Sequence, residues 1–117
     1  MRIKINKKVF GIKNLKTCNE LEKFYGLMFS SRKNANALLF KFKKPTRLAI
    51  HSFFVFYSFL AIWLDDRNKI VKISIVNPFN PFVRPKKSFT KLIEIPISRK
   101  YKKIVKNIYH RRVFPKI

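Results

Sequence analysis

The chain has 117 residues, enough for one domain, and its 47% hydrophobic content sets it apart from disordered chains. Lys and Arg together number 28 against five acids, Glu20, Glu22, Asp65, Asp66 and Glu94, a net charge of +23. One cysteine, Cys18, excludes an intrachain disulfide and a cysteine-based zinc site. A/T-rich codons could enrich Lys, Ile, Asn and Phe, but they do not deplete acids, so the imbalance points to an anionic partner or a polyanionic environment.

In chain order, RIKI and KVFGI predict a strand or hairpin at the amino end, with Gly11 near the bend. Thr17-Cys18-Asn19-Glu20 has the form of a capping box, and Leu21, Phe24 and Tyr25 follow at helical spacing. A short helix over 18–25, ended by Gly26, is the expectation. Residues 30–37 are polar and turn-like. Leu38 to Phe42 reads as a strand, stopped by Lys43-Lys44-Pro45.

Residues 48–64, LAIHSFFVFYSFLAIWL, carry no formal charge. As a helix this stretch would span about 26 Å, short of the bilayer core. His51, Ser52 and Ser58 oppose insertion, and 13 basic residues before it against 15 after give no orientation bias. Its Phe, Val, Ile, Tyr and Trp favour strands, so two strands with a break near Ser58 are expected, and no integral membrane span.

Asp65-Asp66-Arg67-Asn68 is a turn cluster, and KIVKISIV, 69–76, a strand whose Ile70, Lys72, Ser74, Val76 set is the wetter face. The three prolines of 77–85 demand an extended surface loop, and Phe89 to Ile95 form a last strand closed by Pro96. In the tail, Tyr101, Ile104, Val105, Ile108 and Tyr109 share one face of a basic helix over about 99–111. The division expected is a β-rich domain over 1–98 and a basic tail over 99–117.

Five blocks together resemble the uncharacterised family called domain of unknown function 192. They are Gly26-Leu27-Met28-Phe29 with Arg32-Lys33 and Leu38 to Phe42; Ile50 to Phe56 with Ile62-Trp63-Leu64-Asp65; Ile70-Val71; Asn77-Pro78-Phe79; and Leu92-Ile93-Glu94-Ile95-Pro96. The match runs over about residues 9–97 and is closest to the archaeal form. The resemblance implies an α+β, mainly β fold: a small antiparallel, barrel-like sheet with one short helix after the first strands, here followed by the basic carboxy-terminal helix. It implies no activity. Where family members commonly have an aspartate this chain has Leu60, where many have a methionine and a proline it has Ser52 and Ser58, and a Gly-Asp pair after the last strand is missing.

No catalytic constellation stands out. His51, beside an aromatic strand, and Asp65, where a strand meets a turn, are the candidates for acid–base work, each with a structural alternative: a hydrogen bond to backbone and a turn cap. Arg32 and Lys33 form a loop-borne ligand-binding candidate, or else a solvated pair. Phe79 and Phe82 would either stack on bases or pin their loop to the core. Arg84, Lys86, Lys87, Arg99, Lys100, Lys102, Lys103, Lys106, Arg111 and Arg112 are the polyanion-binding candidates. No metal site, phosphate loop or cofactor is expected.

The sequence therefore predicts a non-enzymatic, cytoplasmic binding protein whose basic surface meets RNA, DNA or a ribonucleoprotein. Its alternatives are a small-ligand or enzymatic site around Arg32, His51 and Asp65, and peripheral membrane attachment through the tail. The oligomeric state is left open.

Overall fold

Six consecutive apolar residues, Phe59–Leu64, form a strand no more than 1% exposed at any position. A strand alternates its side chains between two faces, so full burial requires cover on both sides. The structure, a computed structural model, describes residues 1–5, 8–19, 23, 26–52, 54–80 and 82–113, the side chains of Ile5 and of residues 109–113 apart. Its strands are β1 Arg2–Ile5, β2 Lys8–Gly11, β3 Lys16–Thr17, β4 Leu38–Thr46, β5 Phe59–Leu64, β6 Ile70–Val76 and β7 Phe89–Pro96, followed by helix α1, Lys102–Val113.

β1 and β2 make an antiparallel hairpin, and the other five strands make one sheet in the order β3-β4-β7-β5-β6. The last strand in sequence thus lies at the centre, antiparallel to both β4 and β5. Leu60, Ile62 and Leu64 of β5, with Leu39, Ile93 and Ile95, face the hairpin residues Ile3 and Phe10 and the helix residues Tyr101, Val105 and Ile108. Phe59, Ala61 and Trp63, with Leu38, Phe40 and Leu92, face a cover made of loops, among them Leu27, Val55 and Tyr57. Burying each large side chain contributes roughly 1.5–3 kcal/mol. The helix is also tied by polar contacts: Tyr101 Oη donates to Lys13 O (3.0 Å) and accepts from Ala37 N–H (2.9 Å). Its apolar face is therefore part of the domain core.

Several expectations are corrected. The sheet is open and not a barrel: among the described residues nothing joins β6 to β3, and β3 pairs with β4 in parallel. Gly11 is at the far end of the hairpin, opposite Arg2, and not near its bend, where Ile5 pairs with Lys8. β4 continues through Lys43-Lys44-Pro45 to Thr46, because the register shifts between Lys41 and Thr46 and no ladder bond is required of Pro45 there. Of the early helix expected over 18–25, residues 20–22, 24 and 25 lie outside the described residues. Lys23 N–H donates to Asn19 O (2.9 Å), and Thr17, expected as the cap, belongs to β3.

Among the described residues, 48–64 supply one strand, not two. The chain up to Ser58 is irregular, with one bridge between Ile50 and Val83, because its polar groups pair with the proline loop. Ser52 is fully buried; its hydroxyl donates to Asn77 O (2.5 Å) and accepts from Asn80 N–H (2.6 Å). Its backbone N–H donates to Asn80 O (2.8 Å), and its carbonyl accepts from Phe79 N–H (3.0 Å). β6 has no single wet face, since Ile70 to Ile75 are all half-buried, as befits the edge of the sheet. Among the described residues no helix is long and apolar enough to cross a membrane.

Candidate functional site

Glu94 is on the central strand, flanked across the ladder by Leu38 and Ala61, with its side chain on the loop-covered face. It is 5% exposed. It lines a cavity of about 400 Å³ whose walls include Leu27, Phe40, Phe42, Phe59, Phe89 and Leu92, with Lys23, Gly26 and His51 also on the lining. Burial alone pushes the carboxyl up to about 8, so at neutral pH it is mostly a neutral acid that can donate a hydrogen bond. Gly26, at φ +54°, lies against it; a Cβ there would be 3.3 Å from Glu94 Oε1.

The loops over this face also raise an aromatic rim. Phe29, Phe54, Phe56, Phe79 and Phe82 are all at least 47% exposed. Phe29 stacks on Phe54 with centroids 5.0 Å apart, and Phe56 meets Phe79 edge-on at 5.4 Å. Phe29, Phe54 and Phe79 each adopt φ +59°, a left-handed backbone that costs about 1–2 kcal/mol for a residue with a Cβ. Three bulky residues are thus held outward at an energetic cost, a pattern that points to function more than to packing. For Phe79 and Phe82, pinning the loop to the core is excluded by their exposure.

Near the rim, Ser30 Oγ and Tyr57 Oη share a hydrogen bond, and the Arg32 guanidinium is 5.9 Å from the Tyr57 ring centroid. Burial pushes the Tyr57 phenol up; the Ser30 bond opposes this, Glu94 adds to it, and Arg32 opposes it. Arg32 also joins Arg99, Lys102 and Lys106 around a depression of about 440 Å³ with Ile75, Ile97 and Val105 on its lining. Among the described residues no acid lines it, and the hydroxyl of Ser98, 7% exposed, has no hydrogen-bond partner.

The other sequence candidates divide. Lys100 and Lys103 line a second groove with Lys13 and Phe10, and Lys100 also bonds Asn36 Oδ1. Lys86 and Lys87 share a third depression with Lys69, Lys72 and Asp65. Arg84 lies over the Phe82 ring at 5.3 Å, and Lys33 is exposed. Arg111 and Arg112 fall in the last turn of α1, beyond the described side chains.

His51 and Asp65 are not brought together. His51 lines the Glu94 cavity, whereas Asp65 Oδ1 accepts from Arg67 N–H and Lys69 N–H (both 2.9 Å) at the β5–β6 turn. The bond from Lys69, with that from Arg67 and both cations beside it, holds the Asp65 carboxyl below its ordinary value despite partial desolvation. The carboxyl beside the His51 cavity is Glu94, which sequence reasoning passed over. A signal was present: Glu94 is the lone acid within LIEIP, an otherwise apolar strand. Among the described residues no three of His, Cys, Asp and Glu gather as a metal cluster.

No family model and no curated protein matches the chain. Two crystal structures share its fold, each with a TM-score of 0.69 over 89% of this chain. One, 12% identical and covered over 76% of its length, is a protein of unknown function from Novosphingobium aromaticivorans DSM 12444. The other, 14% identical and covered over 82%, is provisionally named as a transcription regulator, from Sinorhizobium meliloti 1021. At these identities the likeness defines a fold, a small mainly β domain with a carboxy-terminal helix.

Proposed function

We propose that this protein binds nucleic acid, single strands in preference to duplex, through the basic depression at the start of α1 and the neighbouring aromatic rim. The observation that carries this is the convergence of Arg32, from a loop, with Arg99, Lys102 and Lys106 around a depression with no acid on its lining among the described residues. Four cations so placed repel one another unless an anion such as a phosphate lies between them. Phe29 is three residues from Arg32 along the chain, within about 10 Å of contour, so stacking surface and phosphate contacts serve one strand. The transcription-regulator name of one fold neighbour is in keeping with a nucleic-acid partner.

Membrane attachment through the helix is disfavoured, because Tyr101, Val105 and Ile108, the face that would enter a lipid interface, are buried against the sheet. We also propose membership of the domain of unknown function 192 family, on the five sequence blocks; it brings no activity with it.

The test is fluorescence anisotropy with labelled single-stranded and duplex oligonucleotides across a salt series. The variant replaces Arg32, Arg99, Lys102 and Lys106 with alanine, and the control replaces Lys41, Lys43, Lys44 and Arg47, four exposed cations elsewhere. Each single-strand phosphate contact contributes about −0.7 to the slope of log affinity against log salt, so losing four flattens it by about 3. Equal effects of the two quadruple variants would refute the site.

A further inference from the structure

The Glu94 cavity is separate from the phosphate-binding surface just proposed, and its chemistry is different. About 400 Å³ is the size range of small-molecule sites. Phe40, Phe42, Phe59 and Phe89 offer ring faces and edges to an apolar body, and the carboxyl of Glu94 offers a polar anchor among them. Gly26 keeps the approach to that anchor open, because any side chain there would press on the carboxyl within 3.3 Å.

We infer that this cavity binds a small organic carboxylate with an apolar, ring-sized body, one of whose oxygens is held by the carboxyl of Glu94. Three observations set the sign of the ligand's charge. Lys23 lies on the same lining, and the chain carries +23, so anions are drawn to the opening and cations are repelled. Burial favours the neutral acid form of Glu94, and an acid O–H to a carboxylate oxygen is a short, charge-assisted hydrogen bond. A cation would instead have to expel that proton and cross the positive field of the chain.

Among the described residues, the charged and titratable groups around Glu94 come from several segments: Lys23 and His51 on the cavity lining, buried Cys18 in the same core, Tyr57, and Arg32 over the Tyr57 ring. Above pH 8 Glu94 becomes ionised, and two carboxylates then repel. The ligand's own carboxylate titrates near 4 and stays ionised throughout.

The experiment is calorimetric titration of the intact protein with 3-phenylpropionate and, in parallel, with 3-phenylpropylammonium, from pH 6.5 to pH 9.5. The carboxylate binds and the ammonium does not; carboxylate affinity is level near pH 7 and falls about tenfold per pH unit above 8. Glu94→Gln, which keeps a neutral hydrogen-bond donor, retains the affinity and loses the fall, while Glu94→Leu weakens binding at pH 7 about tenfold or more. A thermal melt of each variant checks that it folds. Absence of carboxylate binding, ammonium binding as tight as carboxylate, or a fall above pH 8 that persists in Glu94→Gln would each overturn the assignment. Nucleic-acid binding is unchanged in both variants, so the two proposals fail separately.

Discussion

Gly26 and Glu94, 68 positions apart in sequence, lie so close that a methyl group on Gly26 would crowd the carboxyl. A Cβ on Gly26 would be 3.3 Å from Glu94 Oε1 and 3.7 Å from Phe40 Cζ, at a φ of +54° that residues with a Cβ rarely adopt. Gly26→Ala is therefore expected to destabilise the protein by about 1–2 kcal/mol, most of it from the backbone. The melting temperature should fall by roughly 3–8 °C, and an unchanged melt would show that the loop re-forms around the new side chain.

Glu94 gives stability a distinctive pH dependence. Its folded pKa of about 8 lies above the unfolded value of 4.5, so the folded state holds the extra proton between these values. Stability from this group is full below pH 4.5 and falls as pH rises toward 8, by about 1.4 kcal/mol per unit in mid-range. Asp65 acts in the opposite sense and in another window: its lowered pKa gives stability that is present above the unfolded value of 3.8 and lost as pH falls through the folded one. Urea denaturation at pH 5, 6, 7 and 8 should show wild type losing stability and Glu94→Gln losing much less; parallel curves would place the carboxyl in water.

Ser52 joins the 48–58 segment to the proline loop, two stretches that also meet at the Ile50–Val83 bridge. Ser52→Ala leaves Asn77 O and Asn80 N–H without their hydroxyl partner. Loss of a buried hydrogen-bond partner costs about 1–3 kcal/mol. Because Phe79 N–H and the Ser52 carbonyl belong to the same staple, the variant should also show faster amide exchange at Phe79 and Asn80. Exchange unaltered at both amides would mean that the backbone bonds suffice.

The aromatic rim separates binding from stability. Phe54→Ala and Phe79→Ala remove exposed rings, so the fold should be little affected, while single-strand affinity falls by about 1–3 kcal/mol per stacked base. Duplex affinity, governed by phosphates, should fall less. Equal losses on the two substrates would indicate that the rings do not stack on bases.

What the sequence determined by itself was local: the amino-terminal hairpin, the turn after Leu64, the strand ending at Pro96 and the basic carboxy-terminal helix. These depend on turn chemistry, proline and helical spacing, which act within a few residues. Only the tertiary structure decided that Phe89–Pro96 lies between β4 and β5, that β4 runs past Pro45 through a shift of register, and that residues 48–58 spend their polar groups on the proline loop. Pairing partners are non-local, and an apolar run does not say which strand will cover it. The same is true of the sites. The charge of +23 was legible and pointed to a polyanion, but the meeting of Arg32 with Arg99, and of Gly26 and His51 with Glu94, needed loops far apart in sequence to close over one face of a sheet. A carboxyl's neighbours in sequence do not fix its environment; burial does, and burial is a property of the whole fold.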